Sequence, residues 1–143
     1  MSISQAFTFM GGEVQFEDLT ASPVAFKTVA EVQKTSLSGN NVKFADVTNI
    51  QSPDNYAEVI PTIIEGGELS FEANFVPGDD SQGDLYTIRD AREKRNWKIV
   101  LPDSLGYLAF AGYVAAVDTS LDFGKEGKLS VKIKISGKVT PNF

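Results

Sequence analysis

GGELSFEANF, residues 66–75, is the stretch on which the fold of this chain depends. Leu69, Phe71, Ala73 and Phe75 alternate with polar residues along it. Successive side chains of an extended segment point to opposite faces, so apolar side chains collect on one face and polar ones on the other. The pattern predicts a strand with one buried and one solvated face.

A helix is predicted directly after this strand. A Pro-Gly pair ends the strand, and Asp79 supplies side-chain oxygens suited to capping the first amides of a helix. Over about residues 81–95, the spacing of Leu85, Ile88 and Ala91 gives one apolar stripe. Because this stripe has few large residues, the helix must gain its stability by packing on a sheet.

Further strands are predicted on both sides of this strand and helix. Residues 25–36 are interpreted as one strand that forms a hairpin with residues 42–47. Later strands are predicted at residues 97–101, 107–117 and 129–139. The expected fold is mostly β: an antiparallel β-sandwich or small barrel with one flanking α-helix.

Residues 48–61 predict a long loop, because a Ser-Pro-Asp-Asn turn cluster interrupts them and neither strand nor helix periodicity is present. Loops of this length without structure of their own are uncommon in compact domains and are usually functional. Its turn and apolar residues have no obvious place in a core. They are candidates for contact with another molecule: Asp54, Asn55, Tyr56, Val59 and Ile60.

Charge and composition argue against several functional classes. Thirteen basic and nineteen acidic residues among 143 give a net charge of −6, which repels nucleic-acid phosphates. The chain has neither Cys nor His, so thiolates and imidazoles cannot serve as metal ligands or catalytic groups. No secretory signal and no stretch of about 20 apolar residues is present. We expect a protein made in the cytoplasm, with no direct insertion into a membrane.

Two pairs of carboxylates, Asp79 with Asp80 and Glu17 with Asp18, have the chemistry for a metal or acid-base site. Without His, Cys or a third well-spaced carboxylate, helix capping and solvated turns account for them better. We therefore expect no catalytic residue, no metal site and no cofactor.

The strand at residues 107–117 is apolar on both faces, which is typical of a central strand or of one that faces a neighbouring subunit. Tyr107 and Tyr113 are its candidates for intersubunit contact.

Lysines and glutamates alternate with apolar residues along two other predicted strands. Four lysines could form a basic stripe for an anionic partner: Lys128, Lys132, Lys134 and Lys138. The alternative, which we favour, is that they balance Glu68 and Glu72 across a polar sheet face. Glu68, Glu72, Lys132 and Lys134 are therefore further candidates for an intersubunit strand face.

Several of these parts, in this order, resemble a known family. The GGE-led strand ends in Phe and is followed by a Pro-Gly turn and a helix. WKIVLPD at residues 97–103, an aromatic-Gly-Tyr strand and VKIKISGKV at residues 131–139 complete the order. Nearly the whole chain resembles the tail tube, or major tail, protein of long-tailed bacteriophages with a siphovirus-type tail. That family shares its fold with the tube proteins of type VI secretion and of contractile tails.

The resemblance implies a structural subunit and not an enzyme. Six copies would form a ring, and the rings would stack around a tape measure protein between tail initiation and terminator proteins. DNA would pass through the channel at ejection without specific binding. The protein would assemble in the host cytoplasm and lie in the tail of the virion.

The resemblance also divides the chain. Residues 1–143 would form a single tail-tube domain with an N-terminal arm at residues 1–12. The loop at residues 48–61 would reach from one ring onto the next.

A soluble ligand-binding β-barrel is the alternative from a different class of protein. In that case the strands that are apolar on both faces would line a pocket instead of an interface. The mass of the protein at rising concentration separates the two hypotheses.

Overall fold

The structure is a computed structural model that describes residue 6, residues 8–18 and residues 25–143. The predicted N-terminal arm at residues 1–12 lies partly outside these described residues. The elements are β1 Glu13–Asp18, β2 Ala25–Thr28, β3 Val32–Ser38, β4 Val42–Asp46, β5 Val59–Ile64, β6 Glu68–Asn74, α1 Asp80–Ala91, β7 Arg95–Val100, β8 Tyr107–Ser120, β9 Lys128–Ile135 and β10 Thr140–Asn142. Short 3₁₀ turns lie at Pro53–Asn55 and Pro102–Ser104.

Most of the strands form one antiparallel sheet. Its order is β2-β1-β7-β8-β9-β6-β3, and β10 adds to β8. In the described part of the chain, β4 and β5 pair only with each other and form a separate hairpin. The strand predicted from residues 66–75 is β6, which lies between β9 and β3.

The two edges of the large sheet are joined by a very short connection. β2 is one edge and β3 is the other, yet only residues 29–31 link them in the chain. The Val29 amide donates to the Val14 carbonyl and the Asn74 amide donates to the Glu31 carbonyl, so this link touches both sides of the sheet. The sheet must therefore curl until its edges approach, and it remains open between them. The predicted β fold is confirmed as a sandwich-like sheet and not as a closed barrel.

The concave side of the curled sheet holds the core. Leu69, Phe71 and Ala73 are all buried, which confirms the alternation on which the fold was predicted. The rings of Phe16 and Trp97 pack with their centroids 5.6 Å apart at the centre. Each fully buried large side chain contributes roughly 1.5–3 kcal/mol. The core also includes Val14, Val29, Leu85, Ile88, Ile99, Phe110, Val114, Val117, Leu129, Val131, Ile133 and Ile135.

Helix α1 packs on this core through two residues of the predicted stripe, because Leu85 and Ile88 are buried. Ala91, the third, is exposed. The Asp79 carboxylate caps the helix by accepting hydrogen bonds from the Ser81 and Gln82 amides. The Ser81 hydroxyl, with the two amides, holds the pKa of Asp79 below its usual value.

Gln82 ties the first turn of α1 to the open side of the sheet. Its buried amide group donates to the Ala30 carbonyl at 3.2 Å and to the Asn74 carbonyl at 2.7 Å. Its side-chain oxygen accepts from the Val76 amide at 2.9 Å. The helix thereby satisfies backbone groups that the open sheet leaves unpaired between β2 and β6.

The helix ends earlier than the predicted boundary at residue 95. Arg92 adopts a left-handed conformation with φ of 55°, and its amide bonds to the carbonyls of Ile88 and Arg89. This geometry stops the helix, and Arg95 already begins β7. The sequence places Arg89 four residues before Glu93 and Asp90 four residues before Lys94, a charge spacing that favours a longer helix but cannot outweigh that turn.

The hairpin predicted between residues 25–36 and 42–47 is wrong. Glu31, with φ of 55°, breaks the first segment into β2 and β3. β3 then pairs with β6, where Leu37 lies opposite Leu69, and β4 pairs with β5.

β8 is one long strand with a bulge between Val114 and Ala116. The bulge shifts the alternation by one residue, so Val117 is buried instead of Ala116. The alternation of buried residues that runs through Phe110, Gly112 and Val114 therefore ends at the bulge.

Candidate assembly surface

The β4–β5 hairpin projects from the domain. The two strands pair from Val42 opposite Ile64 to Asp46 opposite Val59, and neither strand contains a buried residue. The predicted loop at residues 48–61 is therefore only partly a loop, because β5 begins at Val59. The proline at 61 is tolerated because a two-stranded ladder leaves one side of each strand unpaired.

The hairpin carries an unusual amount of exposed apolar surface. Large contiguous apolar patches on a soluble protein mark sites of interaction with other molecules. Its exposed apolar side chains are Val42, Phe44, Val47, Ile50, Tyr56, Val59, Ile60, Ile63 and Ile64. Both faces of β5 are affected, so no rotation of the hairpin onto its own domain could bury them all.

Polar side chains organise the turn at the end of the hairpin. The Asp46 carboxylate accepts from the Thr48 amide at 2.9 Å, and the Thr48 hydroxyl oxygen accepts from the Glu58 amide at 2.8 Å. The Thr48 hydroxyl and amide keep the pKa of Asp46 below its usual value. The Ser52 hydroxyl donates to the Glu58 carboxylate at 2.8 Å. These bonds stay within the hairpin, so the turn is built independently of the core.

The five candidate residues of the predicted loop lie together in the outer half of this hairpin. Asp54 and Asn55 form the 3₁₀ turn with φ of 53° and 62°, and Tyr56 follows with its ring exposed. Val59 and Ile60 begin β5. The sequence prediction missed the inner half, with Phe44, Ile63 and Ile64. The run VIPTII at residues 59–64 was the available signal, because five of its six residues are β-branched and favour a strand, although Pro61 interrupts them.

The outer face of the large sheet is polar, and it brings four more candidates together. Glu68 lies opposite Lys134, and Lys132 lies opposite Ser70 in the β6–β9 ladder. Glu72 lies between Ser130 of β9 and Lys34 of β3. Each of the two glutamates therefore lies directly across a ladder from one lysine.

The two tyrosines of β8 lie in different surroundings. Tyr113 is exposed and lies opposite Lys134. Tyr107, six residues away, accepts a hydrogen bond from the Asn142 side chain at 2.8 Å. The Lys98 ammonium lies 4.7 Å from the Tyr107 ring centroid and 4.1 Å from that of Phe26. Tyr107 is thus held by its own chain, and Tyr113 is the one that is free to face a partner.

The carboxylates are arranged for structural roles. Asp79 caps α1, and Glu17 accepts from the Asn96 side chain at 2.8 Å. In the part of the chain that the structure describes, no three acidic, His or Cys side chains cluster closely enough to hold a metal ion. Among the same residues, no helix has the length and apolar character needed to cross a bilayer.

A model of the lambda phage tail tube protein family matches residues 11–141. The chain belongs to this family. The predicted resemblance to siphovirus-type tail tube proteins is thereby confirmed. Tail tube proteins are structural components of the virion tail and not enzymes, so this tail tube protein is a structural subunit of a tube. None of the curated proteins matches the chain significantly.

Solved structures from a gene transfer agent, a phage tail tube and a contractile injection system share the fold of this tail tube protein. A chain from the virion of a native gene transfer agent has a TM-score of 0.78 at 18% identity, over 96% of this chain and 100% of that one. The SPP1 tail tube gives 0.71 at 12% identity, over 94% of this chain and 78% of that one. A chain from the sheath/tube terminator of an extracellular contractile injection system gives 0.70 at 10% identity, over 99% of this chain and 100% of that one.

Proposed function

We propose that this tail tube protein forms hexameric rings that stack into a tube around a tape measure protein, and that DNA leaves through the channel. The projecting β4–β5 hairpin is the observation that carries the proposal, because its exposed apolar side chains need a partner surface. A related fold in the tail of an empty gene transfer agent particle was determined with C6 symmetry. That symmetry supports six copies per ring.

Ring closure uses the edges of the large sheet. Within residues 8–18 and 25–143, β2 pairs with β1 alone and β3 pairs with β6 alone, so each has one side without a ladder to these residues. Unpaired edges invite pairing with another chain. In a closed ring each subunit meets two identical neighbours, and an edge of one subunit can continue the sheet of the next.

Stacking of the rings uses the β4–β5 hairpin. It lies apart from the large sheet, so it is free to reach onto a subunit of the adjacent ring. Asp54, Asn55 and Tyr56 form its outermost turn and would meet that subunit first. We expect this turn to be mobile in the free subunit and to become ordered on stacking.

The polar outer face of β3, β6 and β9 lines the channel. DNA must slide past this lining, and unpaired lysines would hold it by salt-dependent contacts with the phosphates. Lys134 lies opposite Glu68 and Lys34 lies opposite Glu72, which offsets the charge of these two lysines, whereas Lys132 lies opposite Ser70. The net charge of −6 agrees with a channel that does not bind DNA.

The partners of the tube follow from the family. A tape measure protein would occupy the channel before DNA does, and initiation and terminator proteins would close the ends of the tube. Solved chains of similar fold come from a baseplate and from a tube-terminating cap of an anti-feeding prophage. These sources support a tube whose ends meet other proteins.

The interior of the domain does not support the alternative hypothesis of a ligand-binding β-barrel. The sheet stays open, and Trp97, Phe16 and Phe71 fill the space that a barrel would reserve for a ligand. The exposed hairpin would also have no role in such a protein.

Sedimentation velocity over a rising concentration series tests the proposal. The expected result is a species that grows from the monomer to rings and then to much larger stacks. A single monomeric species over the whole series, with tail initiation proteins present, would contradict it and favour the monomeric alternative.

A further inference from the structure

We propose that the turn between β8 and β9 of one subunit docks into an apolar recess at the opposite end of a subunit in the next ring. This inference rests on the proposed stacking and adds a second contact between rings. The turn, residues 121–127, is called the tip. The recess is lined by Asn40, Ile64, Gly137, Lys138 and Val139 and is called the base recess.

The tip exposes two large apolar side chains with no cover from their own subunit. Leu121 is mostly exposed and Phe123 is fully exposed. The turn itself is well anchored: the Phe75 amide donates to the Gly127 carbonyl at 2.9 Å, and Gly124 supplies a φ of 75°. A fixed turn that presents an aromatic ring loses little conformational entropy when it binds. Such rings are the usual anchors of protein interfaces.

The base recess matches this anchor in size and character. It has a volume of about 510 Å³, within the range of roughly 300–1,000 Å³ typical of pockets that hold a compact ligand. Ile64 and Val139 give it apolar walls, and the glycine at 137 leaves part of it without a side chain. It has room for an aromatic side chain.

The tip and the base recess lie at opposite ends of the same strands. In the β6–β9 ladder, Asn74 opposite Lys128 lies next to the tip. Glu68 opposite Lys134 lies next to the base recess, which follows the end of β9. Seven residues of β6 separate the two ends, which is about 20 Å at the usual rise of a strand. A head-to-tail contact between copies can therefore bring the tip of one onto the recess of the next and repeat without limit.

Complementary charges on the tip and the base recess favour a second copy of the chain as the occupant of the recess. Asp122 lies between the two apolar residues of the tip, and Lys138 lies on the rim of the base recess. Among the described residues, neither side chain takes part in an ion pair, whereas nearby Glu126 is paired with Lys128 at 3.2 Å. Docking would place the unpaired carboxylate of one copy beside the unpaired ammonium of another.

Disulfide cross-linking tests the contact, because the chain has no Cys of its own. Phe123→Cys and Val139→Cys in one chain should give, on oxidation of assembled tubes, a ladder of covalent oligomers on a non-reducing gel. The matched control combines Phe123→Cys with Lys94→Cys, which is exposed outside both surfaces and should give no ladder.

Charge reversal tests the pairing. Asp122→Lys and Lys138→Asp should each lower the yield of tubes roughly tenfold, and the two together should restore it. Lys94→Asp, the control, should leave the yield unchanged.

The outcomes separate this inference from the proposed function. Tubes of the Cys variant that form but give no ladder on oxidation, or single reversals that both assemble at the parent yield, would overturn the docking and leave the tube intact. A parent protein that forms no tubes would overturn both.

Discussion

A chain that lacks residues 51–56 is expected to fold as the parent does and to form no tubes. These residues form the outer turn of the β4–β5 hairpin, and the hydrogen bonds of this turn stay within the hairpin. Ordering a turn costs roughly 1–2 kcal/mol per residue. Burial of side chains such as Tyr56 against the next ring must offset that cost, at roughly 1.5–3 kcal/mol each.

Two measurements on the deletion variant test whether the hairpin turn stacks the rings: its melting temperature and its yield of sedimentable tubes. A melting temperature near that of the parent with no tubes supports the hairpin as the stacking element. Tubes at the parent yield would show that the hairpin turn is not part of the contact between rings. An unfolded subunit would show that the turn belongs to the core.

A double substitution and its control distinguish the loss of apolar contacts from the shortening of the chain. Tyr56→Ser with Ile60→Ser removes two exposed apolar side chains from the hairpin without shortening it. Met10→Ser, the control, removes an apolar side chain outside the hairpin that is more exposed than either of these two. Only the hairpin substitutions should lower the yield of tubes.

Ile88→Asp is expected to destabilise the subunit by about 3–5 kcal/mol and to make it insoluble. Ile88 is 2% exposed on the buried face of α1, so the new carboxylate would lose its hydration. Arg95 is close to it, but its guanidinium already donates to the Glu17 carbonyl at 3.0 Å and to the Glu93 carboxylate at 2.8 Å. Domains of this kind are stable by only about 5–15 kcal/mol, so the loss is a large part of the total.

The melting temperature of Ile88→Asp, compared with that of Thr87→Asp, measures this effect. Thr87 is the exposed neighbour on the same helix, so its substitution should change the melting temperature little. Equal melting temperatures for the two variants would show that the stripe of α1 does not support the core.

The sequence predicted local features of the fold well. Alternation along residues 66–75 correctly identified the buried side chains of β6, and the stripe of Leu85 and Ile88 identified the packed face of the helix. Such patterns depend only on neighbouring residues and on the period of one element. The left-handed residues Glu31 and Arg92 carry no such signal, since neither is Gly or Asn. The split of the 25–36 segment and the early end of α1 were therefore missed.

Strand pairing and the assembly surface were harder to predict. The alternation in β3 indicates that it has a core face but does not say which strand lies beside it. Adjacent segments were assumed to pair, whereas β3 joins β6 across the intervening hairpin. Phe44, Ile63 and Ile64 were missed for a different reason: apolar residues are normally assigned to the core of their own chain. In a subunit of a larger assembly, part of the apolar surface becomes buried only in the contact with another copy.

Electron microscopy of the concentrated protein, with helical averaging of any tubes, is the sharpest test of the stacked-ring assembly. We expect hollow tubes of stacked six-fold rings, with Glu68, Glu72, Lys132 and Lys134 toward the channel and the β4–β5 hairpin between rings. Fields that contain only monomers, even at high concentration and with tail initiation proteins added, would contradict it.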